Sequence, residues 1–178
     1  GPGDAELDIL ATILAGGKSS RLYRELVHDH EVAIDVSVTQ GSREVAATFS
    51  IVATASPGRS LSDVEELITD QLAKVVTQGP SADELERAKR TTEADFAYRL
   101  QTVGGFGGRS DQLNAYNVFR GDPGYFTSDL NRYLVVEPSE VAAVGRELLT
   151  AERRVALSVV PRGRHSLALP DSVAADVS

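Results

Sequence analysis

The chain has 178 residues, of which 42% are hydrophobic and 25% charged, a composition typical of one globular domain or two very small ones and not of a disordered segment. Its 18 basic residues are outnumbered by 26 acidic ones, and the net charge of -8 argues against nucleic-acid binding, which needs a basic face. The absence of cysteine excludes disulfides, thiol nucleophiles and thiolate zinc sites. No apolar run reaches the roughly 18 residues of a membrane span, so we expect no such segment.

The chain opens with two predicted helices. Asp4 can cap the first, and Gly16-Gly17 ends it. Ser19 or Ser20 then opens the second. The apolar side chains that define the inner faces of these two helices recur at helical spacing: Leu7, Leu10, Ile13, Leu14, Leu22, Leu26 and Val27.

A β-hairpin is predicted next. Residues 33–39 and 45–55 alternate apolar and polar side chains, which is typical of strands, and the short connection 41–43 fits an antiparallel pair. Because side chains two apart share a face of a strand, the alternation predicts a core face formed by Ile34, Val36 and Val38.

The rest of the chain is predicted to be helical up to a last strand. Ser62-x-x-Glu65 and Ser81-x-x-Glu84 are capping-box patterns, each at the start of a helix. Further helices are predicted near 110–119, up to 134 and from 138, with a final strand at 155–160. The order α-α-β-β-α-α-α-α-α-β lacks the strand–helix alternation of a Rossmann fold, so we predict an α+β, two-layer fold with helices on one face of an antiparallel sheet.

Two patterns imitate functional sites. Gly17-Lys18-Ser19 ends like a phosphate-binding loop, but Thr12 stands where that loop needs its first glycine, and a helix precedes it instead of a strand. The run 28–31 (His-Asp-His-Glu) resembles metal ligands, but at a helix end its two histidines would not share a face. We interpret the first as a helix end and the second as a solvated polar turn, and we assign no metal ligand in this chain.

Several segments at consistent spacing resemble one known family. Residues 14–26 read Leu-Ala-Gly-Gly-Lys-Ser-Ser-Arg-Leu-Tyr-Arg-Glu-Leu, which is similar to a helix-entry motif of the pitrilysin/insulinase zinc metallopeptidases, the inverzincins. The resemblance continues, towards bacterial processing-peptidase-like members, at 54–58, 84–89, 104–113 and 121–126. It covers nearly the whole chain.

The resemblance implies a particular part of such an enzyme. The chain is similar to the non-catalytic, C-terminal-type inactive domain, with the two-layer fold of LuxS and the processing peptidases. Its expected partners are a zinc-bearing catalytic domain, in the same chain or a partner chain, and an unfolded peptide that the two domains enclose. Zinc is expected in that other domain, and no cofactor in this one. The alternative is a structural or scaffold domain of a member that has lost proteolytic activity.

The resemblance also suggests where peptide is touched. In related subunits a glycine-rich loop precedes the Ser-Arg-Leu motif, and the shortened counterpart here gives the candidate substrate-contact residues Gly16, Gly17, Lys18, Ser19 and Ser20; a simple helix terminus is the other interpretation. Many members place an arginine and a tyrosine, which reach the substrate, where this chain has Val27 and Ile34. Neither side chain can donate a hydrogen bond, so we carry over no catalytic residue.

The composition of the two ends and the extent of the resemblance predict the organisation of the chain. We expect residues 1–3 to be a linker, 4–161 the domain, and 162–178 a linker or frayed tail. The family domain opens with a strand before the first helix. Without that strand, unpaired backbone groups at a sheet edge could pair with a second copy, which predicts a possible dimer through a sheet edge. Alternatively, the C-terminal tail fills the place of the strand, and the sequence does not decide between the two.

Overall fold

The computed structural model describes residues 3–42, 46–104 and 106–173. Its helices and strands follow in the order α1 (Asp4–Ala15), a π-helix (Tyr23–Asp29), β1 (Ala33–Ser42), β2 (Ala47–Ala55), α2 (Leu61–Gln78), α3 (Ala82–Gln101), α4 (Arg109–Arg120), α5 (Phe126–Leu134) and α6 (Pro138–Leu148), with 3-10 turns at Ala151–Arg153 and His165–Leu167. The predicted α+β class, helices packed on one face of an antiparallel sheet, is confirmed.

Helix α1 lies at the centre of the fold. It packs against β1 on one side and against α3, α5 and α6 on the others. Seven of its twelve residues are buried, including Ile9, Leu10 and Leu14, which are at most 1% exposed. The predicted cap was wrong by one position: Gly3 is the N-cap and Asp4 the first helical residue, where a carboxylate still favours the positive end of the helix dipole.

The hairpin confirms one predicted core face and corrects its first residue. Val36 and Val38 are half-buried and pack against the core, opposite Ala53 and Ile51 of β2. Ile34 is 60% exposed, because the register shifts between Ala33 and Asp35 and leaves it without a partner. Such a bulge moves side chains to the other face, and the alternation of a sequence does not reveal it.

The connection between the strands begins later than predicted. Gly41 and Ser42 belong to β1 and pair with Thr48 and Ala47. The other predicted residue of the connection, Arg43, and the predicted first residue of the second strand, Val45, lie outside the described residues.

The predicted third strand is not part of the sheet, which has two strands within the described ranges. Residues 155–160 are irregular and make no ladder with the hairpin. The segment leaves a 3-10 turn, and Arg154 at its start is held against α2 by an ion pair with Glu65 (Nη2–Oε1 2.6 Å). The strand predicted at 155–160 is therefore wrong: the apolar pattern favours a strand, but no strand in the described ranges pairs with the segment.

The other predicted helices are present, but two more of their starts differ. The second is the π-helix, whose N-cap is Leu22 and not Ser19 or Ser20. Ser60, not Ser62, caps α2 by accepting a hydrogen bond from the Asp63 amide, while the Ser81–Glu84 box at the start of α3 is present as predicted. None of the helices in the described part of the chain combines the length and apolarity needed to cross a bilayer.

Two carboxylates on α1 are tied to α5. The Tyr133 hydroxyl donates to Asp8 Oδ2 at 2.8 Å, and Asp4 accepts from Ser42 and pairs with Arg132 (Nη2–Oδ2 3.4 Å). Burial raises the pKa of Asp8 to about 6, although the Tyr133 hydrogen bond works in the opposite direction. At neutral pH the Asp8 carboxylate is charged although it is partly buried, and this lowers the free energy of unfolding.

The raised pKa predicts how Asp8→Asn responds to pH. Asparagine keeps an acceptor for Tyr133 but has no charge to desolvate. Between pH 3.8 and about 6 the folded wild type binds a proton that the unfolded chain has released, so the wild type loses stability as pH rises through this range. Because Asp8 is only half-buried and water screens its charge, we expect the variant to gain about 1–2 kcal/mol relative to wild type between pH 4 and pH 8.

Urea denaturation at both pH values measures this difference. Asp35→Asn, which alters an exposed carboxylate on β1, is the control and should change the free energy of unfolding by less than about 0.5 kcal/mol. A difference between Asp8→Asn and wild type that does not change with pH would contradict the interpretation.

Candidate functional site

The predicted substrate-contact residues form a tight turn after α1. The Gly16 amide donates to the Thr12 carbonyl and the Ser20 amide to the Gly17 carbonyl at 3.1 Å. Gly17 has a φ of 112°, a conformation that side-chain-bearing residues rarely adopt, and a Cβ at Gly16 would collide with the Thr12 carbonyl. The two glycines are therefore required by the turn itself.

Exposure divides the five residues into two groups. Gly16, Gly17, Lys18 and Ser19 are exposed, so their backbone and the Lys18 amine face solvent. Ser20 is buried, and its hydroxyl donates to the Gly17 carbonyl at 2.6 Å. We call residues 16–19 the α1 turn; Ser20 closes this turn from inside.

An ion pair fixes the chain directly after the α1 turn. Arg21 donates from Nε and Nη2 to both carboxylate oxygens of Glu84, at 2.6 and 2.7 Å, and its Nη2 also lies 3.4 Å from the Gly79 carbonyl. Both side chains are mostly buried, at 17% and 18% exposure. Two parallel bonds to one carboxylate set direction as well as distance, so the pair orients the turn against the corner between α2 and α3.

The Glu84 carboxylate takes part in a second structural contact, at the start of its own helix. Its Oε2 also accepts the Ser81 amide at 2.8 Å, which completes the capping box of α3. The hydrogen bonds from Arg21, opposed by burial and assisted by the Ser81 amide, lower the pKa of Glu84 to about 2. The carboxylate is therefore ionised across the physiological range. Sequence reasoning identified the capping box and the arginine of the motif separately, but nothing in their spacing shows that they meet.

The two positions that depart from the family pattern lie in different environments. Val27 is half-buried in the π-helix and packs against the core. Ile34 points away from the core at the bulge of β1. These side chains present no hydrogen-bond donor to a peptide.

The histidine run does not fit a zinc site. His28 Nδ1 lies 2.8 Å from Asp29 Oδ1, whereas His30 Nε2 lies 3.4 Å from Glu25 Oε2, so the two rings take part in separate pairs. Nowhere in residues 3–42, 46–104 and 106–173 do three His, Asp or Glu side chains converge as a ligand set. A catalytic zinc needs three protein ligands, and this run does not supply them.

A groove of about 400 Å³ lies beside the end of the π-helix. Val32 and Leu67 provide its apolar part, and the remaining lining is polar and mostly acidic: His30, Arg59, Asp63, Glu66 and Asp70. Its acidic side chains all come from α2.

Residues 2–92 match the family described as the peptidase M16 inactive domain, which is just over half of the chain. The chain belongs to the peptidase M16 inactive-domain family. This confirms the resemblance to the non-catalytic domains of zinc metallopeptidases that residues 14–26 carry most clearly.

Relatives show how much of a longer protein the M16 inactive domain represents. The chain is 29% identical over 171 residues to an uncharacterized zinc protease of Streptomyces coelicolor, which covers 94% of this chain and 36% of that protein. A protease from Helicobacter pylori has the same fold with a TM-score of 0.75 at 23% identity, over 86% of this chain and 36% of its own. The chain thus spans about a third of each of these proteins.

A solved structure of comparable size shows the fold of the domain alone. An inactive peptidase domain from Bordetella parapertussis superposes with a TM-score of 0.73 at 24% identity, over 87% of this chain and 82% of its own. This chain thus shares its fold with a solved structure of comparable length.

The bidentate pair predicts a cost for Arg21→Lys. Lysine keeps the charge but cannot make both bonds to Glu84, so we expect about 1–3 kcal/mol of lost stability and faster amide exchange in residues 17–20. The folded pKa of Glu84 lies below its ordinary 4.5, so this contribution is present above pH 4.5 and lost as the pH falls towards 2. Urea denaturation and hydrogen exchange measure both effects.

The exposed pair of Arg154 and Glu65 is the matched control. Their side chains are 44% and 36% exposed, so Arg154→Lys should cost under about 0.5 kcal/mol. Equal losses for the two variants would mean that burial of the Arg21 pair adds nothing.

Proposed function

We propose that this domain encloses substrate in a zinc-dependent metalloendopeptidase without performing the chemistry itself. One observation carries the proposal: the chain matches, over 94% of its length, about a third of a relative named a zinc protease, while belonging to a family of inactive domains. The remaining two-thirds of such a protein have room for a zinc-bearing domain. The partner of this domain is then the zinc-bearing domain, in the same chain or another.

The zinc in this proposal belongs to the partner domain. There it would supply an activated water for peptide hydrolysis. The histidine run of this chain offers two exposed rings in separate pairs, which do not form a ligand set for that zinc. The task left to this domain is to bind and orient an extended peptide.

The α1 turn and the outer edge of β1 are the proposed peptide-contact surface. Residues 16–19 present solvent-facing backbone in a turn that Arg21 and Glu84 hold in place. The turn leads through the π-helix into β1, whose entry is fixed by a hydrogen bond from the Val32 amide to the Leu26 carbonyl at 2.8 Å. An extended peptide that adds to a strand edge is held by main-chain hydrogen bonds, which suits a peptidase with little sequence preference.

Charge favours basic peptides at this surface. The chain has a net charge of -8, and Asp35 lies on the exposed face of β1. Attraction between exposed charges is screened beyond about 8 Å at physiological ionic strength, so binding should weaken with salt. Half of the enclosing surface lies on the partner domain, so the affinity of this domain alone should be weak.

An NMR titration with an unfolded basic peptide and an acidic peptide of equal length tests the proposal. We expect shifts at residues 16–19 and in β1, larger for the basic peptide and reduced by salt. Asp35→Asn should weaken binding of the basic peptide about two- to fivefold. Any gain in the binding of the acidic peptide should be no larger than that factor. Shifts confined to the helices, or equal for the two peptides, would exclude this surface as a substrate wall.

A second candidate function is a scaffold domain in a family member without proteolytic activity. Val27 and Ile34 favour it, because they replace side chains that would donate hydrogen bonds to substrate. The two functions differ in the partner domain. An inverted His-x-x-Glu-His motif there supports the peptidase, and its loss supports the scaffold.

A further inference from the structure

Helices α4 and α5 are packed loosely on the rest of the domain. No residue of α4 is buried, and Tyr133 is the one buried residue of α5. Glycines with positive φ stand at both ends of α4, Gly107 at 76° and Gly121 at 69°. A segment that buries little apolar surface opens at a lower free energy than the core of a domain does.

Side-chain contacts couple the two helices to each other. The Tyr116 hydroxyl of α4 donates to Asp129 Oδ2 of α5 at 2.8 Å. The Tyr116 ring also packs edge to face against Tyr125, with the ring centroids 5.7 Å apart. The start of α4 is held at the end of α3, where Arg109 Nη2 donates to the Leu100 carbonyl at 2.6 Å. A movement of α5 therefore carries the far end of α4 with it.

Helix α5 is attached to the core through one apolar and one polar contact. The Phe96 ring of α3 packs edge to face against Phe126 and Tyr133, with centroid distances of 5.4 and 5.5 Å. The polar contact is the hydrogen bond from the Tyr133 hydroxyl to Asp8 Oδ2 of α1, at 2.8 Å. The packing of the rings does not change with pH, whereas the polar contact contains a carboxyl group that titrates.

The charges around Asp8 do not neutralise it. Asp4 on the same helix repels the Asp8 carboxylate, whereas Arg132 on α5 and Arg99 on α3 attract it. Arg132 is shared, because its guanidinium pairs with Asp4 (Nη2–Oδ2 3.4 Å) and with Asp129 (Nε–Oδ1 3.1 Å). Among the described residues Asp8 takes part in no ion pair, so its charge depends mainly on the Tyr133 hydroxyl.

The other elements packed on α1 meet its first turn through neutral side chains. From β1, Gln40 Nε2 donates to Asp4 Oδ1 at 3.1 Å, and the Ser42 hydroxyl donates to the same carboxylate. From α6, Val144 lies beside Gly3. The balance of charge around Asp8 is therefore set by α1, α3 and α5.

We propose that α4 and α5 form one unit that lies closed on α1 while Asp8 is protonated and opens more often once Asp8 is charged. In the closed state Asp8 is half-buried between α1 and α5, and in the open state water solvates it. Burial raises the pKa of Asp8 to about 6 in the closed state, against 3.8 for a solvated carboxyl. Between these two values the closed state binds a proton that the open state has released, so closure weakens as the pH rises towards 6 and stays weak above it.

Hydrogen exchange of the whole chain, followed for each amide by NMR at pH 5 and at pH 7.5, tests this switch. After correction for the intrinsic exchange rate at each pH, the protection of α4 and α5 should be about five- to tenfold lower at pH 7.5. At both pH values it should also be at least about tenfold lower than the protection of α1, because the unit opens without unfolding of the whole domain.

Two variants and a control identify Asp8 as the group that titrates. Asp8→Asn has no charge to lose, so the protection of α4 and α5 should be equal at the two pH values. Tyr133→Phe keeps the ring beside Phe96 but removes the hydrogen bond that favours the charged form of Asp8, so the midpoint of the pH dependence should move above 6. Asp35→Asn changes an exposed carboxylate on β1 and should leave the pH dependence unaltered.

Three results would overturn the proposal. The first is equal protection of α4 and α5 at the two pH values in the wild type, and the second is a pH dependence that persists in Asp8→Asn. The third is protection of α4 and α5 as high as that of α1, which would mean that these helices open only when the whole domain unfolds. Neither a peptide nor zinc enters the experiment, so its outcome is independent of the proposed function.

Discussion

The enclosure of α1 is the constraint on which the rest of this domain depends. Helix α1 is buried against a sheet on one side and three helices on the others, so it has little room for polar side chains. Its two inward carboxylates, Asp4 and Asp8, therefore need hydrogen-bond or ionic partners. Tyr133 and Arg132 of α5 meet that need at Asp8 and Asp4. The position of α5 is therefore fixed by polar contacts as well as by apolar packing, and the chain direction at the end of α1 is fixed with it.

That direction makes the α1 turn a defined surface and not a loose connection. Leu14 is fully buried, whereas the next exposed residues begin only two positions later at Gly16. The chain must then return to the core, where Leu22 is again fully buried. Between these two anchors, the bonds from Arg21 to Glu84 hold the turn from the side. A short exposed segment with both ends and one flank fixed loses little entropy on binding, which is the property a weak, general peptide contact needs.

Most of the fold could be predicted from the sequence because helix and strand periods, caps and glycine stops are local signals. The Ser81–Glu84 box and the glycine stop at Gly16 are examples, and the structure contains both. What could not be predicted depends on contacts between distant residues. The bulge that turns Ile34 outward is a matter of register, and the pairing of Arg21 with Glu84 joins positions 63 residues apart. The strand predicted at 155–160 is absent, because residues that favour strands form one only where a neighbouring strand pairs with them, and a local pattern does not show that neighbour.

The proposed peptide contact depends on backbone groups and on charge. The α1 turn and β1 offer solvent-facing backbone and the Asp35 carboxylate, so recognition there depends on hydrogen bonds and weakens with salt. Because every extended peptide offers the same main-chain hydrogen bonds, the charge of a peptide, more than its sequence, decides how well it binds. A surface of this kind suits a domain that holds a peptide while another domain performs the chemistry.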